Sequence, residues 1–214
     1  MITPLAYIRG KAEFYGREFM VTPATLQPRP DTETMLELLF EQVNGDKSKG
    51  NSIVDIGTGS GAIAITAKLE FPEFEVHATE INNDALKVAR QNARNLGADV
   101  KFYQGNLLQP ILNLQSSISN PFAMLVNLPY VPDGHTINQA AMQEQAVAIF
   151  GGPDGLDLYR QLFAQSSVSN PQSPILVLTE SLPFQHKALA AIAKKSGYSL
   201  MKTQDFIQVF SAAP

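Results

Sequence analysis

The chain has no cysteine among its 214 residues. That excludes a disulfide framework, a thiolate zinc site and a cysteine nucleophile, and it suits a reducing compartment. Histidine is scarce: His77, His135 and His186 are scattered without ligand spacing, so no metal site is expected. No apolar run approaches the ~18 residues of a membrane span, and the first residues lack the order of a secretory signal. The expectation is a cytoplasmic protein with no membrane contact. Positive charge is not in excess either, since 16 Lys and Arg stand against 20 Asp and Glu for a net charge of −4. A nucleic-acid partner would need a local basic patch, and no run of basic residues supplies one. The remaining composition, 44% hydrophobic and 17% charged, is that of an ordinary globular chain long enough for one full core.

The organising stretch is IVDIGTGSGAIAI, residues 53–65. Residues 53–56 read as a short strand buried on both faces, and an alanine- and isoleucine-rich helix follows. Between them lie Gly57, Thr58, Gly59, Ser60 and Gly61. The glycines let the backbone turn sharply and let a ligand approach without meeting a Cβ. The helix that starts there points unpaired N–H groups and its positive end at the turn. Two ligand classes fit. Gly57, Gly59 and Ala62, with Glu80 downstream, satisfy a dinucleotide fingerprint. S-adenosylmethionine fits better, because Asp55 at the strand end would repel a pyrophosphate and suits a cationic amino acid end.

Around this unit the chain alternates strands and helices. Residues 12–15 and 18–22 flank Gly16-Arg17, a Gly-X pair suited to a II′ hairpin, with Phe14, Phe19 and Val21 on one buried side. An extended Pro28-Arg29-Pro30 follows, and Asp31 is placed to cap a helix reaching residue 43. Further strands are expected at 74–79, 100–103, 122–126 and 175–179, with one helix capped by Asn82 or Asn83 and stopped by Gly97, and others at about 156–167 and 184–195. Residues 131–155 read as irregular or partly helical. Two closing strands, 198–203 and 206–210, are near enough to pair. The pattern predicts a mostly parallel sheet with helices on both faces. The expected organisation is an N-terminal hairpin and linker over 1–30, then one domain over 31–214.

Ligands of such sheets sit beyond the carboxyl ends of the strands. There Glu80 can accept from both hydroxyls of a ribose, Asn106 can pair with adenine edge atoms, and Leu107 can pack on the ring. Asn127-Leu128-Pro129-Tyr130 ends the fourth core strand. An amide or aniline-like nitrogen is a poor nucleophile because its lone pair is delocalised. The Asn127 side-chain oxygen and the Leu128 main-chain oxygen can accept both its N–H bonds and orient it. The Tyr130 ring can cover the planar group, while Pro129 holds Leu128 extended.

These motifs resemble those of a known family. The glycine turn is similar to motif I of class I S-adenosylmethionine-dependent methyltransferases, and Asn127 to Tyr130 to their motif IV. The stretch PLAYIRGKAEFYGREFMVTPATLQPRPDTETML is similar to the signature of the protein-(glutamine) methyltransferases that modify peptide chain release factors. Glu144, Phe150-Gly-Gly, the run from Asp154 to Arg160, Glu180 and Gln185 extend the match. The resemblance implies a class I methyltransferase, Rossmann-like, with a mostly parallel seven-stranded sheet and a closing antiparallel β-hairpin. It implies S-adenosylmethionine held by Gly57 through Gly61, Glu80, Leu107 and Asn127. It further implies a glutamine amide held by Asn127 through Tyr130 and a release factor as protein partner. Leu128, Asn106 and Leu182 depart from the family's usual proline, aspartate and glycine, and the family's helical N-terminal domain has no counterpart here. Two alternatives follow from these departures. One is a methyltransferase for an exocyclic amine of adenine or guanine in RNA or DNA. The other is a trimmed S-adenosylmethionine-binding protein with little catalysis.

Overall fold

The computed structural model describes residues 5–45, 51–112, 121–136, 148–166 and 176–212. A short helix α1 (Leu5–Arg9) leads into the hairpin β1 (Lys11–Phe14) and β2 (Arg17–Met20). A 3-10 turn (Pro30–Thr32) precedes α2 (Glu33–Gly45). Then come β3 (Ser52–Ile56), α3 (Ala62–Glu70), β4 (Glu75–Glu80), α4 (Asn83–Leu96), β5 (Val100–Gln104) and the single turn α5 (Gln109–Leu112). The second half holds β6 (Ala123–Val126), α6 (Asp157–Gln165), β7 (Leu176–Glu180), α7 (His186–Lys195), β8 (Tyr198–Gln204) and β9 (Ile207–Ala212).

The seven-stranded sheet runs β5-β4-β3-β6-β7-β9-β8. Neighbours from β5 to β7 are parallel, while β9 lies antiparallel between β7 and β8. This is the class I methyltransferase sheet with its closing hairpin. Strand order reverses at β3, so the cavity forms where the chain departs to opposite sides. All five residues of β3 are buried, because apolar layers cover both faces. Ile53 packs with Met35, Leu38 and Ile63 on one face, and Val54 and Ile56 pack with Tyr159, Leu162 and Leu189 on the other. The period of two carries through β6 and β7, so Leu176 and Leu178 share the α2 face. Glu180, two residues further, projects to that same face.

α4 has the caps expected of it. Asn82 accepts from the Asp84 and Ala85 amides, and Gly97 ends the helix at φ +70°. Two local expectations need correction. The hairpin turn is Tyr15-Gly16, with φ of +50° and +68°, and β1 pairs Phe14 with Arg17. Both central residues are left-handed, which makes it a I′ turn; the Tyr15 amide donates to Glu33 Oε1 at 2.8 Å. Asp31 is no cap: it lies inside the 3-10 turn that precedes α2. The hairpin is tied to the rest of the fold. Phe14 and Phe19 join the core beside Met35. The buried Asn92 accepts from the Met20 amide at 2.8 Å and donates to the carbonyls of Met20 and Ser60. The expected strands and helices of the central domain are all found. The expectation for 131–155 lies in part outside the described residues, as does Glu144.

Candidate active site

A cavity of about 260 Å³ opens at the carboxyl edge of β3, β4 and β6. Its walls include Gly57, Thr58, Gly59, Ser60, Glu80, Asn106, Leu107, Asn127, Leu128 and Pro129. The hairpin and linker also reach it, through Phe14, Gln27, Pro28, Arg29 and Thr32.

The glycine turn is made by main chain. Gly57, Gly59 and Gly61 have φ of +73°, +55° and +85°, a region that any Cβ penalises. The amides of Gly57 and Thr58 both donate to the Thr79 carbonyl, which anchors the turn to β4. Gly61 does not line the cavity. A Cβ there would stand 2.8 Å from Ile65 Cδ1 and 3.2 Å from Ala89, so it is the contact point of α3 with α4. Asp55 is fully buried behind the turn and lines no part of the cavity. Its Oδ2 accepts from Thr58 Oγ1 at 2.6 Å and from the Ala64 amide at 3.2 Å, serving α3 as an N-terminal acceptor. Burial pushes this carboxyl up to about 7, against the lowering effect of those hydrogen bonds; the Glu80 charge raises it further.

Glu80 is held from two sides. Oε2 accepts from the Gly59 amide at 2.9 Å and Oε1 from the Asn82 amide at 2.8 Å. Each carboxylate oxygen keeps a lone pair, and the residue still faces the cavity. The Gly105-Asn106-Leu107 turn is equally constrained. The Gly105 amide donates to the Glu80 carbonyl at 3.0 Å, and Leu107 sits at φ +50°. A non-glycine residue in that region marks strain of the kind that collects at ligand sites.

The opposite wall is made by side chains. Asn127 Nδ2 donates to Glu180 Oε2 at 3.0 Å and to Thr32 Oγ1 at 3.1 Å. Thr32 Oγ1 donates to the same Glu180 oxygen at 2.7 Å, and Tyr130 OH donates to Glu180 Oε1 at 2.9 Å. The Asn127 amide nitrogen is thus turned into the protein, and nothing among the described residues donates to Asn127 Oδ1 or to the Leu128 carbonyl. Tyr130 turns its hydroxyl inward and is not a cavity-lining residue; burial and the Glu180 charge push its hydroxyl up. Around the motif, Gln185 Nε2 donates to the Tyr130 and Asp154 carbonyls, both at 2.7 Å. Tyr159 OH donates to the Glu180 carbonyl and accepts weakly from the Leu128 amide. A Cβ on Gly151 or Gly155 would overlap the Pro129 or Tyr130 carbonyl, so only glycine lets the 151–155 turn back this motif.

Sequence reading left Thr32, Asn92 and Tyr159 unassigned, and named Glu180 and Gln185 only through the resemblance. The strand-end rule that selects Glu80 also selects Glu180, which ends β7. Among the described residues no three His, Asp or Glu side chains converge as metal ligands.

The sheet order and this edge-of-sheet cavity are those of the class I methyltransferase fold. The family model for the methyltransferase small domain matches residues 29–143. The release factor glutamine methyltransferase of Bacillus subtilis (strain 168) is 41% identical over 167 residues, covering 74% of this chain and 56% of its own. The release factor glutamine methyltransferase of Deinococcus radiodurans is 34% identical over 198 residues, covering 91% of this chain and 68% of its own. The chain belongs to the release factor glutamine methyltransferase family. It spans little more than half the length of relatives such as that of Bacillus subtilis. In fold it is similar to a methyltransferase from Pyrococcus furiosus, at 18% identity and a TM-score of 0.59 over 94% of this chain and 91% of the other.

Proposed function

We propose that the chain is an S-adenosylmethionine-dependent N-methyltransferase acting on a glutamine side-chain amide of a protein. The substrate we assign is the Gly-Gly-Gln loop of a peptide chain release factor. One observation carries the reading: Asn127 has its nitrogen committed to Glu180 and Thr32, which leaves Oδ1 as an acceptor beside the Leu128 carbonyl. Two acceptors on a cavity wall match the two N–H bonds of a primary amide. Membership in the release factor glutamine methyltransferase family supports the same substrate.

The residues across the cavity fit the cofactor. The left-handed Gly57 and Gly59 leave room for a ligand against bare backbone, and the Glu80 carboxylate is placed to accept from ribose hydroxyls. Asn106 and Leu107 offer an edge and a face to a base. Bound S-adenosylmethionine supplies an electrophilic methyl group on a positively charged sulfur. Asn127 Oδ1 and the Leu128 carbonyl accept from the target amide, fix its plane and favour positive charge building on its nitrogen. Pro129 cannot donate a main-chain hydrogen bond and keeps Leu128 extended. The apolar Leu107 and Leu128 keep bulk water from the reacting group.

The test is mass spectrometry of intact release factor and of ribosomal RNA after incubation with the enzyme and S-adenosylmethionine. A 14 Da gain on the loop glutamine, expected from the mass of one methylene, supports the reading. Methylation of an RNA base with none on the glutamine would replace it by the purine-amine alternative.

A further inference from the structure

Glu180 has an unusual set of partners for a carboxylate that is 1% exposed. Thr32 Oγ1, Asn127 Nδ2 and Tyr130 OH all donate to it, the first from the 3-10 turn before α2 and the other two from the motif that follows β6. All three are neutral. A buried carboxylate is costly unless its hydrogen bonds are complete, so its retention asks for a reason. The arrangement has a chemical consequence. An ionised carboxylate only accepts, so the Asn127 carboxamide has to meet it with nitrogen and present oxygen to the cavity. Thr32 reinforces the choice, because its hydroxyl proton is directed to Glu180 and its lone pair faces Nδ2.

We propose that Glu180 is a positioning residue for methyl transfer: with Thr32 it locks Asn127 so that Oδ1 faces the target nitrogen, and its charge strengthens that oxygen as an acceptor. The inference rests on the amide-methyltransferase reading above. A chain of hydrogen bonds from carboxylate through Asn127 polarises the carboxamide. Its oxygen becomes more negative as the target nitrogen gains positive charge. A protonated Glu180 loses both effects, since its O–H must donate and the Asn127 orientation is no longer enforced.

The surroundings set where that loss occurs. Burial pushes the Glu180 carboxyl above the usual carboxylate range, and Asp31 from the 3-10 turn raises it further. The three hydrogen bonds oppose this. Tyr130 and Tyr159, the other titratable groups against it, have hydroxyls pushed up by burial and by Glu180 itself. Arg29 is the nearby cation and favours the Tyr130 phenolate. Activity should therefore rise with pH through an acid limb higher than an ordinary glutamate gives. Asp55, whose carboxyl burial raises to about 7, is common to every variant and does not affect the comparison between them.

The experiment is steady-state methylation of intact release factor across pH, with cofactor affinity measured by calorimetry. Glu180→Gln should lower kcat by roughly 10- to 100-fold with KM and cofactor affinity little changed, and remove the Glu180 part of the acid limb. In the Asn127→Ala background, Glu180→Gln should add almost nothing, because the two act as one unit. Thr32→Val removes one donor that favours the charged form, so it should slow transfer by roughly several-fold and move the limb to higher pH. That variant decides the matter if Glu180→Gln does not fold. A Glu180→Gln enzyme with unchanged kcat and limb, or a Thr32→Val enzyme with an unmoved limb, overturns the inference while the functional reading stands. A wild-type enzyme that methylates no amide overturns both.

Discussion

The two walls of the cavity are built by different means. On the β3–β4–β5 side the shape is main chain: left-handed glycines, amides paired to the Thr79 carbonyl, and a Glu80 carboxylate held by the Gly59 and Asn82 amides. On the β6–β7 side it is side chain: Thr32 and Asn127 line the cavity, and Glu180, with Tyr130 on its other oxygen, holds them from behind. Thr32, Asn127, Tyr130 and Glu180 meet through hydrogen bonds that span as many as 148 residues of sequence. A backbone wall tolerates little change in conformation but presents the same N–H groups whatever the side chains are. A side-chain wall can be retuned by one substitution, and each member depends on the others. That division suits a wall for an invariant cofactor facing a wall for a chosen substrate.

The comparison breaks most visibly at Asn127. Asn127→Ala removes the acceptor and strands Glu180 with one donor fewer. The single-turnover rate should fall by roughly 10²- to 10³-fold, the size of losing one preorganised partner of the reacting group. Calorimetry should find cofactor affinity within a few-fold of wild type. A large loss of affinity would mean that the two walls are not separate in function.

On the backbone side the largest effect is in stability. Asp55 has its carboxyl raised to about 7, whereas in the unfolded chain it releases its proton near the ordinary carboxylate value. Between those limits the native state holds more protons than the unfolded state, so stability falls as pH rises through the window and stays lower above 7. Asp55→Asn keeps an acceptor for Thr58 and Ala64 but does not titrate. Its stability relative to wild type should therefore improve from pH 4 to pH 8, on the order of 2–4 kcal/mol. Urea unfolding of the cofactor-free protein at both pH values measures this. A constant gap would show that Asp55 is ionised in the native state throughout.

Glu80→Ala removes a charged side chain from the backbone wall. The amides of Gly59 and Asn82 lose their acceptor with it. S-adenosylmethionine affinity should drop by roughly 1.5–3 kcal/mol, the range for a charged acceptor of hydrogen bonds. The rate at saturating cofactor should change far less. A variant with normal affinity and slow transfer would reverse the assignment of the walls.

The same difference explains what could be read before the fold was seen. The glycine turn, Glu80 and the caps of α4 are local: strand, glycines and helix follow each other within a few residues, and conformational rules connect them. Asn127 to Tyr130 is local as a motif but not as a mechanism. Its orientation comes from Thr32 and Glu180, brought beside it only when α2 packs on β7 and when β6 and β7 pair in register. Asp55 misled for a related reason. A carboxylate at a strand end is expected to face a ligand, yet period-two alternation turns Asp55 to a covered face, where it caps α3 instead. The Tyr15-Gly16 turn failed on chemistry: a tyrosine at positive φ is uncommon, and Glu33 stabilises it from a distant helix.

The smallest expected effect is at Leu128, where the two walls touch. Its side chain is 5% exposed and packs with Val126 and Tyr159. A Cβ placed on Gly57 would stand 3.0 Å from Leu128 Cδ2. Family resemblance puts proline at this position, and Leu128→Pro tests which part of the residue acts. Proline keeps the main-chain carbonyl that the proposed mechanism uses as an acceptor. It loses the amide bond to Tyr159, but that bond is 3.4 Å long and so weak. It also loses apolar volume against the core and against Gly57. The cost should fall on stability, about 1–2 kcal/mol for a partly refilled core position, read as a lower urea midpoint. The transfer rate should stay within roughly threefold of wild type, because the acceptor survives. A fall beyond tenfold, with the fold intact, would mean that the leucine side chain itself shapes the pocket for the target nitrogen. Leu128 would then belong to the side-chain wall and act as a specificity residue as well as through its carbonyl acceptor.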